Sequence, residues 1–92
     1  LVWQLQTTLA FDKQARRFLR QHPELRSKFE EVLTQLTLDP FDPALRLHAL
    51  AGKLEGMQAA RINYKYRVVL VLRIQGKTIL LLDVGGHDAV YR

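Results

Sequence analysis

Apolar positions follow two different rhythms along the chain, and the rhythm changes near its middle. Val2-Trp3-Gln4-Leu5-Gln6-Thr7-Thr8-Leu9 is rich in β-formers and predicts a first strand. A helical period follows: Asp12 suits an N-cap, and Ala15, Phe18, Leu19 and His22 fall on one stripe of a short helix. Pro23 suits the first turn of a second helix, where Leu25, Phe29, Val32, Leu33 and Leu36 repeat at helical spacing. Glu24 and Glu30-Glu31 favour its N-terminal half, and Asp39-Pro40 and Asp42-Pro43 end it. The two helices predict an αα-hairpin with one buried face. Arg16, Arg17, Arg20, Arg26 and Lys28 then fall on the outer face, read as solvated charge rather than a binding stripe. His22, on the apolar stripe, is read as structural.

From Met57 the period becomes two. Gln58-Ala59-Ala60-Arg61-Ile62-Asn63 leads through Tyr64-Lys65 into the run from Tyr66 to Ile74. A tight turn at Gln75-Gly76 starts the run from Lys77 to Val84, which predicts a three-strand antiparallel meander. The last two runs are apolar on both faces, so they belong at the centre of a sheet with the helical hairpin over one side. The order β-α-α-β-β-β makes an α+β domain, with a small, mainly antiparallel sheet packed on an αα-hairpin. Residues 1–92 read as a single domain, without internal repeat or linker. One geometric point stays open: a register that sets Arg61 opposite Arg67 puts both on one face, and a one-residue slip separates them.

Composition narrows the chemistry. The chain has no cysteine, which excludes disulfide, thiol and cysteine-metal chemistry. No apolar run approaches the roughly 20 residues of a membrane span, and no secretory leader is visible, so the cytoplasm is expected. The net charge of +5 favours a polyanionic partner, either nucleic acid or an acidic protein.

The C-terminal run concentrates reactive groups. After the apolar strand and Gly85-Gly86 come His87, Asp88, Tyr91 and Arg92. His87 can transfer protons near neutral pH, Tyr91 can stack on a base, and Arg92 can clamp a phosphate. These are groups suited to RNA. A packing role for the His and Tyr in a C-terminal cap is the competing reading, and Asp88 reads as a turn former or an orienter of His87.

Three motifs then occur in order: Leu47-His48-Ala49-Leu50-Ala51-Gly52-Lys53-Leu54-Glu55-Gly56, the run from Arg61 to Leu72, and Leu81 to Arg92. Together they resemble the RelE/ParE superfamily of toxin–antitoxin toxins, and most nearly its YafQ-like and RelE-like mRNA interferases. The resemblance covers nearly the whole chain. It implies a sheet packed on a helical hairpin, with a nucleic-acid cleft on the open sheet face. It also implies cleavage of mRNA on the ribosome, no cofactor, and a cognate acidic antitoxin that folds around the toxin.

Residue by residue, His48 matches the histidine that precedes the Leu-x-Gly motif in YafQ-like members. His87 matches the histidine after their last strand, and Tyr91 sits where the family places an aromatic. Arg67 matches the strand arginine of RelE-like members. Arg61 and Lys65 stand where YafQ-like members carry a histidine and an aspartate, a departure toward a more cationic, RelE-like site.

The chemistry can be argued from the residues as well. Metal-free RNA cleavage needs a base for the 2′-OH, positive charge around the phosphorane, and an acid for the departing 5′-oxygen. His87 can be acid or base, and Arg61, Arg67 and Lys53 supply charge. Tyr91 and Tyr64 offer stacking surfaces, with Lys65 and Arg92 as further RNA contacts. The structural alternatives are a backbone-capping His48 and an Arg67 that anchors Asp83 or Glu55. A metal site from His48, His87 and Asp83 matches no known ligand spacing. The leading expectation is an mRNA-cleaving toxin. A ParE-type inhibitor of DNA gyrase would share the fold, although two histidines suit catalysis better. A third reading is a non-catalytic domain cut from a larger protein such as a helicase, with Leu1 and Arg92 as cut points.

Overall fold

A computed structural model describes residues 2–86; His87, Asp88, Tyr91 and Arg92 lie outside the described residues. Strands β1 (Gln4–Thr7), β2 (His48–Ala49), β3 (Gln58–Arg61), β4 (Tyr66–Arg73) and β5 (Thr78–Gly86) accompany helices α1 (Leu9–Gln21) and α2 (Arg26–Leu38). Among the described residues the strands form one sheet, ordered β1-β5-β4-β3-β2. The β3-β4-β5 meander is antiparallel, and β1 joins β5 in parallel. The α+β expectation holds, and β4 and β5 take the interior places that their apolar runs require.

Local chemistry shifts some element boundaries. The first strand stops at Thr7, and Thr8 rather than Asp12 caps α1: its hydroxyl accepts the Phe11 N–H at 3.0 Å. Asp12 instead sits in the first turn, where its charge favours the helix dipole. Thr8 wins because its hydroxyl also reaches the Leu81 carbonyl oxygen at 3.2 Å, tying the start of the helix to β5. Pro23 opens a short 3-10 turn, Pro23–Leu25, before α2 begins at Arg26. The segment around His48, which the order β-α-α-β-β-β leaves outside any element, adds a two-residue edge strand paired with β3.

The two faces of the sheet have different roles. Phe11, Ala15 and Phe18 of α1 and Phe29, Val32 and Leu36 of α2 pack on Ala60, Val68, Leu70, Ile79, Leu81 and Val84. That is the main core. On the opposite face Leu50, Ala59 and Val69 make a smaller cluster flanked by Leu54, Met57 and Leu82. Both Leu81 and Val84 face the helices, although an odd separation along a regular strand would send them to opposite sides. An irregularity resolves this: Val69 pairs with Asp83 and Leu70 with Leu81, leaving Leu82 as the extra residue of a β-bulge. The bulge changes the phase of the end of β5 relative to its start. Among the described residues no helix is long and apolar enough to cross a membrane.

Candidate functional site

The register left open by the sequence is settled: Arg61 lies directly opposite Arg67, Ala60 opposite Val68, and Ala59 opposite Val69. Ala60 and Val68 belong to the helix-side core, whereas Ala59 and Val69 belong to the opposite cluster. Strand alternation therefore puts both arginines on the open face. Gly85 pairs with Arg67 from the other side and adds no side chain to that row. His48 pairs with Ala59, one row along, and shares the face. Adjacent rows on one face are about 7 Å apart, close to the spacing of successive phosphates in an extended single strand.

Around these residues lies a cavity of about 450 Å³, lined by Arg46, His48, Arg61, Asn63, Tyr64, Lys65, Tyr66 and Arg67. It gathers five residues singled out in the sequence: His48, Arg61, Tyr64, Lys65 and Arg67. Lys53 is exposed on the 3-10 turn Gly52–Leu54 and does not line it. His87, Tyr91 and Arg92 lie outside the described residues. The described lining holds four cationic side chains and no carboxylate. Like charges directly opposite one another on a strand pair repel, and an anion between them would turn that repulsion into attraction.

His48 is exposed, and its Nδ1 lies 2.9 Å from the carbonyl oxygen of Arg46. A carbonyl only accepts, so Nδ1 carries the proton in this bond. In the neutral ring that leaves the Nε2 lone pair available to take a proton. Arg46 itself has φ 47 and ψ 45. This left-handed conformation costs a non-glycine residue on the order of 1 kcal/mol.

The β3–β4 connection forms the cavity rim, and Asn63 shapes it. Its Oδ1 accepts the backbone N–H groups of both Lys65 and Tyr66 at 2.9 Å. The Ile62 N–H closes the turn on the Tyr66 carbonyl at 3.0 Å. Tyr64 is thereby held at the tip with 87% of its surface exposed, an aromatic face that nothing in the core demands. Tyr66 is anchored from behind, its ring 5.2 Å from Phe18 and 4.6 Å from His22. His22 packs in this ring cluster and lies 3.6 Å from Glu24, in agreement with a structural role. Among the described residues no three His, Asp or Glu side chains are grouped to hold a metal ion.

Arg46, Asn63 and Tyr66 were not legible as cavity residues. Asn63 carried the only usable signal, as a turn former between two β-type runs.

No family model matches the chain, and no curated protein matches it. Solved structures do. YafQ from E. coli superposes with a TM-score of 0.82 at 16% identity, covering 98% of this chain and 99% of that one. The YafQ of the E. coli DinJ–YafQ toxin–antitoxin complex gives 0.80 at 15% identity over the whole of both chains. A YoeB/ParE toxin from Agrobacterium tumefaciens gives 0.75 at 19% identity, covering 91% of this chain and 98% of that one. Each match spans nine-tenths or more of both chains. The chain thus has the RelE/ParE-like toxin fold in its YafQ-like form.

Proposed function

We propose that this protein is the toxin of a type II toxin–antitoxin pair and cleaves mRNA on the ribosome. The observation that carries the reading is the open-face cavity, where Arg61 and Arg67 face each other beside His48 in a lining without described carboxylates. Such a surface suits a phosphodiester. In the reaction, a 2′-oxygen attacks the adjacent phosphorus and the bond from phosphorus to the 5′-oxygen breaks. His48 takes the 2′-OH proton at Nε2, and Arg61, Arg67 and Lys65 stabilise the doubly charged phosphorane. His87, assigned from the sequence motif, returns a proton to the departing 5′-oxygen. The products are a 2′,3′-cyclic phosphate and a 5′-hydroxyl. Tyr64 supplies a stacking face for a neighbouring base.

The partner follows from charge and from the relatives. The E. coli neighbour is seen in complex with the antitoxin DinJ. A +5 chain with a cationic cavity suits an acidic protein whose disordered segment folds over it. The chain acts in the cytoplasm, where its substrate is translated.

With a single described proton-transfer group in the cavity, the isolated protein should cut free RNA poorly. The ribosome would supply the alignment of the 2′-OH, an effect that can be worth several kcal/mol. Primer extension on an mRNA under translation tests this. Codon-spaced stops that vanish in His87→Ala are expected. Growth arrest without any mRNA cleavage would instead favour a ParE-type gyrase inhibitor, which shares the fold.

A further inference from the structure

Arg46 has no part in the scheme above, yet it touches the cavity in two chemically separate ways. Its main-chain carbonyl oxygen accepts the His48 Nδ1–H at 2.9 Å, and its side chain belongs to the cavity lining. Its own position is set from the core. Leu45, immediately before it, is buried at 3% exposure. Asp42 caps the Pro43–Leu45 turn by accepting the Ala44 N–H at 2.8 Å, and it also accepts from Gln35 Nε2 of α2 at 3.2 Å. The Arg46 N–H then closes that turn on the Pro43 carbonyl at 3.2 Å. The chain must reverse there into the edge strand, and φ 47 at Arg46 accomplishes it.

Glycine is the residue suited to that backbone, since it has no Cβ to crowd the carbonyl. An arginine in its place implies that the side chain contributes something that offsets the strain. The cavity it lines supplies the reason, because a guanidinium beside Arg61 and Arg67 extends a phosphate-binding row.

We propose that Arg46 is a two-part positioning and binding residue. Its main chain fixes His48 as the Nδ1–H tautomer with Nε2 facing substrate, and its guanidinium holds a second phosphate of the RNA strand. The assignment rests on the cleavage reading for the identity of the anion. The tautomer itself is independent of it.

Two measurements test the parts separately. Long-range proton–nitrogen correlation of the neutral His48 ring, assigned with His48→Gln, should show the proton on Nδ1 in the native protein. Arg46→Gly keeps the left-handed backbone, so the ring should keep that tautomer. Its affinity for an uncleavable 2′-O-methyl hexanucleotide should fall about tenfold or more. Arg46→Lys should recover part of that affinity. Arg46→Val, whose branched side chain resists a positive φ, should lose the tautomer preference as well and alter the pH profile of cleavage. Should Arg46→Val fail to fold, the native ring and Arg46→Gly still decide the matter.

A native His48 protonated on Nε2 would overturn the positioning half. Unchanged hexanucleotide affinity in Arg46→Gly would overturn the binding half. If both hold but translated mRNA stays intact, the cleavage reading fails and the assignment of Arg46 stands.

Discussion

Strands β3 and β4 carry two opposite solutions on their two faces. Toward the helices, Ala60, Val68 and Leu70 are fully buried against aromatic rings from α1 and α2. Away from them, Ala59 and Val69 join only a small apolar cluster, and the next row outward is a pair of facing arginines. One face gains stability from burial. The other sets two arginines opposite one another in the lining of a cavity, which we read as a surface for an anion. The contrast separates what folds this chain from what it does, and substitutions on each face should have different consequences.

The largest effect is expected at the proton-transfer groups. His87→Ala and His48→Ala should each lower the single-turnover rate of cleavage roughly 10²–10⁴-fold, the usual range for general acid–base groups. Ribosome affinity should barely move, because a neutral imidazole adds little to phosphate-driven binding. Quench-flow rates compared with ribosome co-sedimentation would separate the two. A large loss of binding with unchanged chemistry would contradict the assignment.

Next comes the helix-side face. Leu70→Ala should destabilise the fold by about 2–5 kcal/mol, because Leu70 is fully buried in the core between the sheet and the helices. Urea unfolding measures this. A loss below about 1 kcal/mol would mean that the core is not packed as described.

On the cavity rim, Tyr64→Ala should weaken oligonucleotide binding by roughly 1–3 kcal/mol, with Tyr64→Phe close to native, if the ring works by stacking. Stability should not change, since the side chain is almost wholly exposed. Fluorescence anisotropy with a short labelled RNA reads the affinity. Equal losses from Phe and Ala would point to the hydroxyl instead of the ring.

The smallest stability effect sharpens the comparison most. Arg61→Gln should change the stability of the fold by less than about 1 kcal/mol, because Arg61 is only half-buried and is not part of either apolar cluster. The same change should weaken RNA binding and flatten its salt dependence by about 0.7 in the log–log slope for the lost phosphate contact. If Arg61→Gln destabilised the fold strongly, the arginine would be a structural residue and the functional reading of this face would weaken.

Much of the frame was legible in advance. Alternating and helical periods located the six longest elements, and runs apolar on both sides placed β4 and β5 inside the sheet. Other features depend on contacts that no local pattern records. Thr8 displaces Asp12 as the cap because its hydroxyl also meets Leu81, a residue distant in sequence but adjacent in the parallel β1–β5 pair. The bulge at Leu82 is invisible in a run of consecutive leucines, yet it sets the phase that aligns Gly85 with Arg67. The left-handed Arg46 escaped notice because nothing in its side chain announces that backbone. Arg61 and Lys65 could be marked as cationic candidates, but only the register shows that Arg61 and Arg67 form one row.

The central claim is that the open face performs in-line transesterification on RNA, and the ends of the cleaved fragments test it most directly. Purified protein should be added to translating ribosomes with an mRNA that carries either the native nucleotide or a single 2′-O-methyl group 5′ to the cut. The account predicts fragments that bear a 5′-hydroxyl and a 2′,3′-cyclic phosphate, and no cutting at the methylated position. Fragments with 5′-phosphates, or cutting that ignores the 2′-O-methyl block, would contradict it.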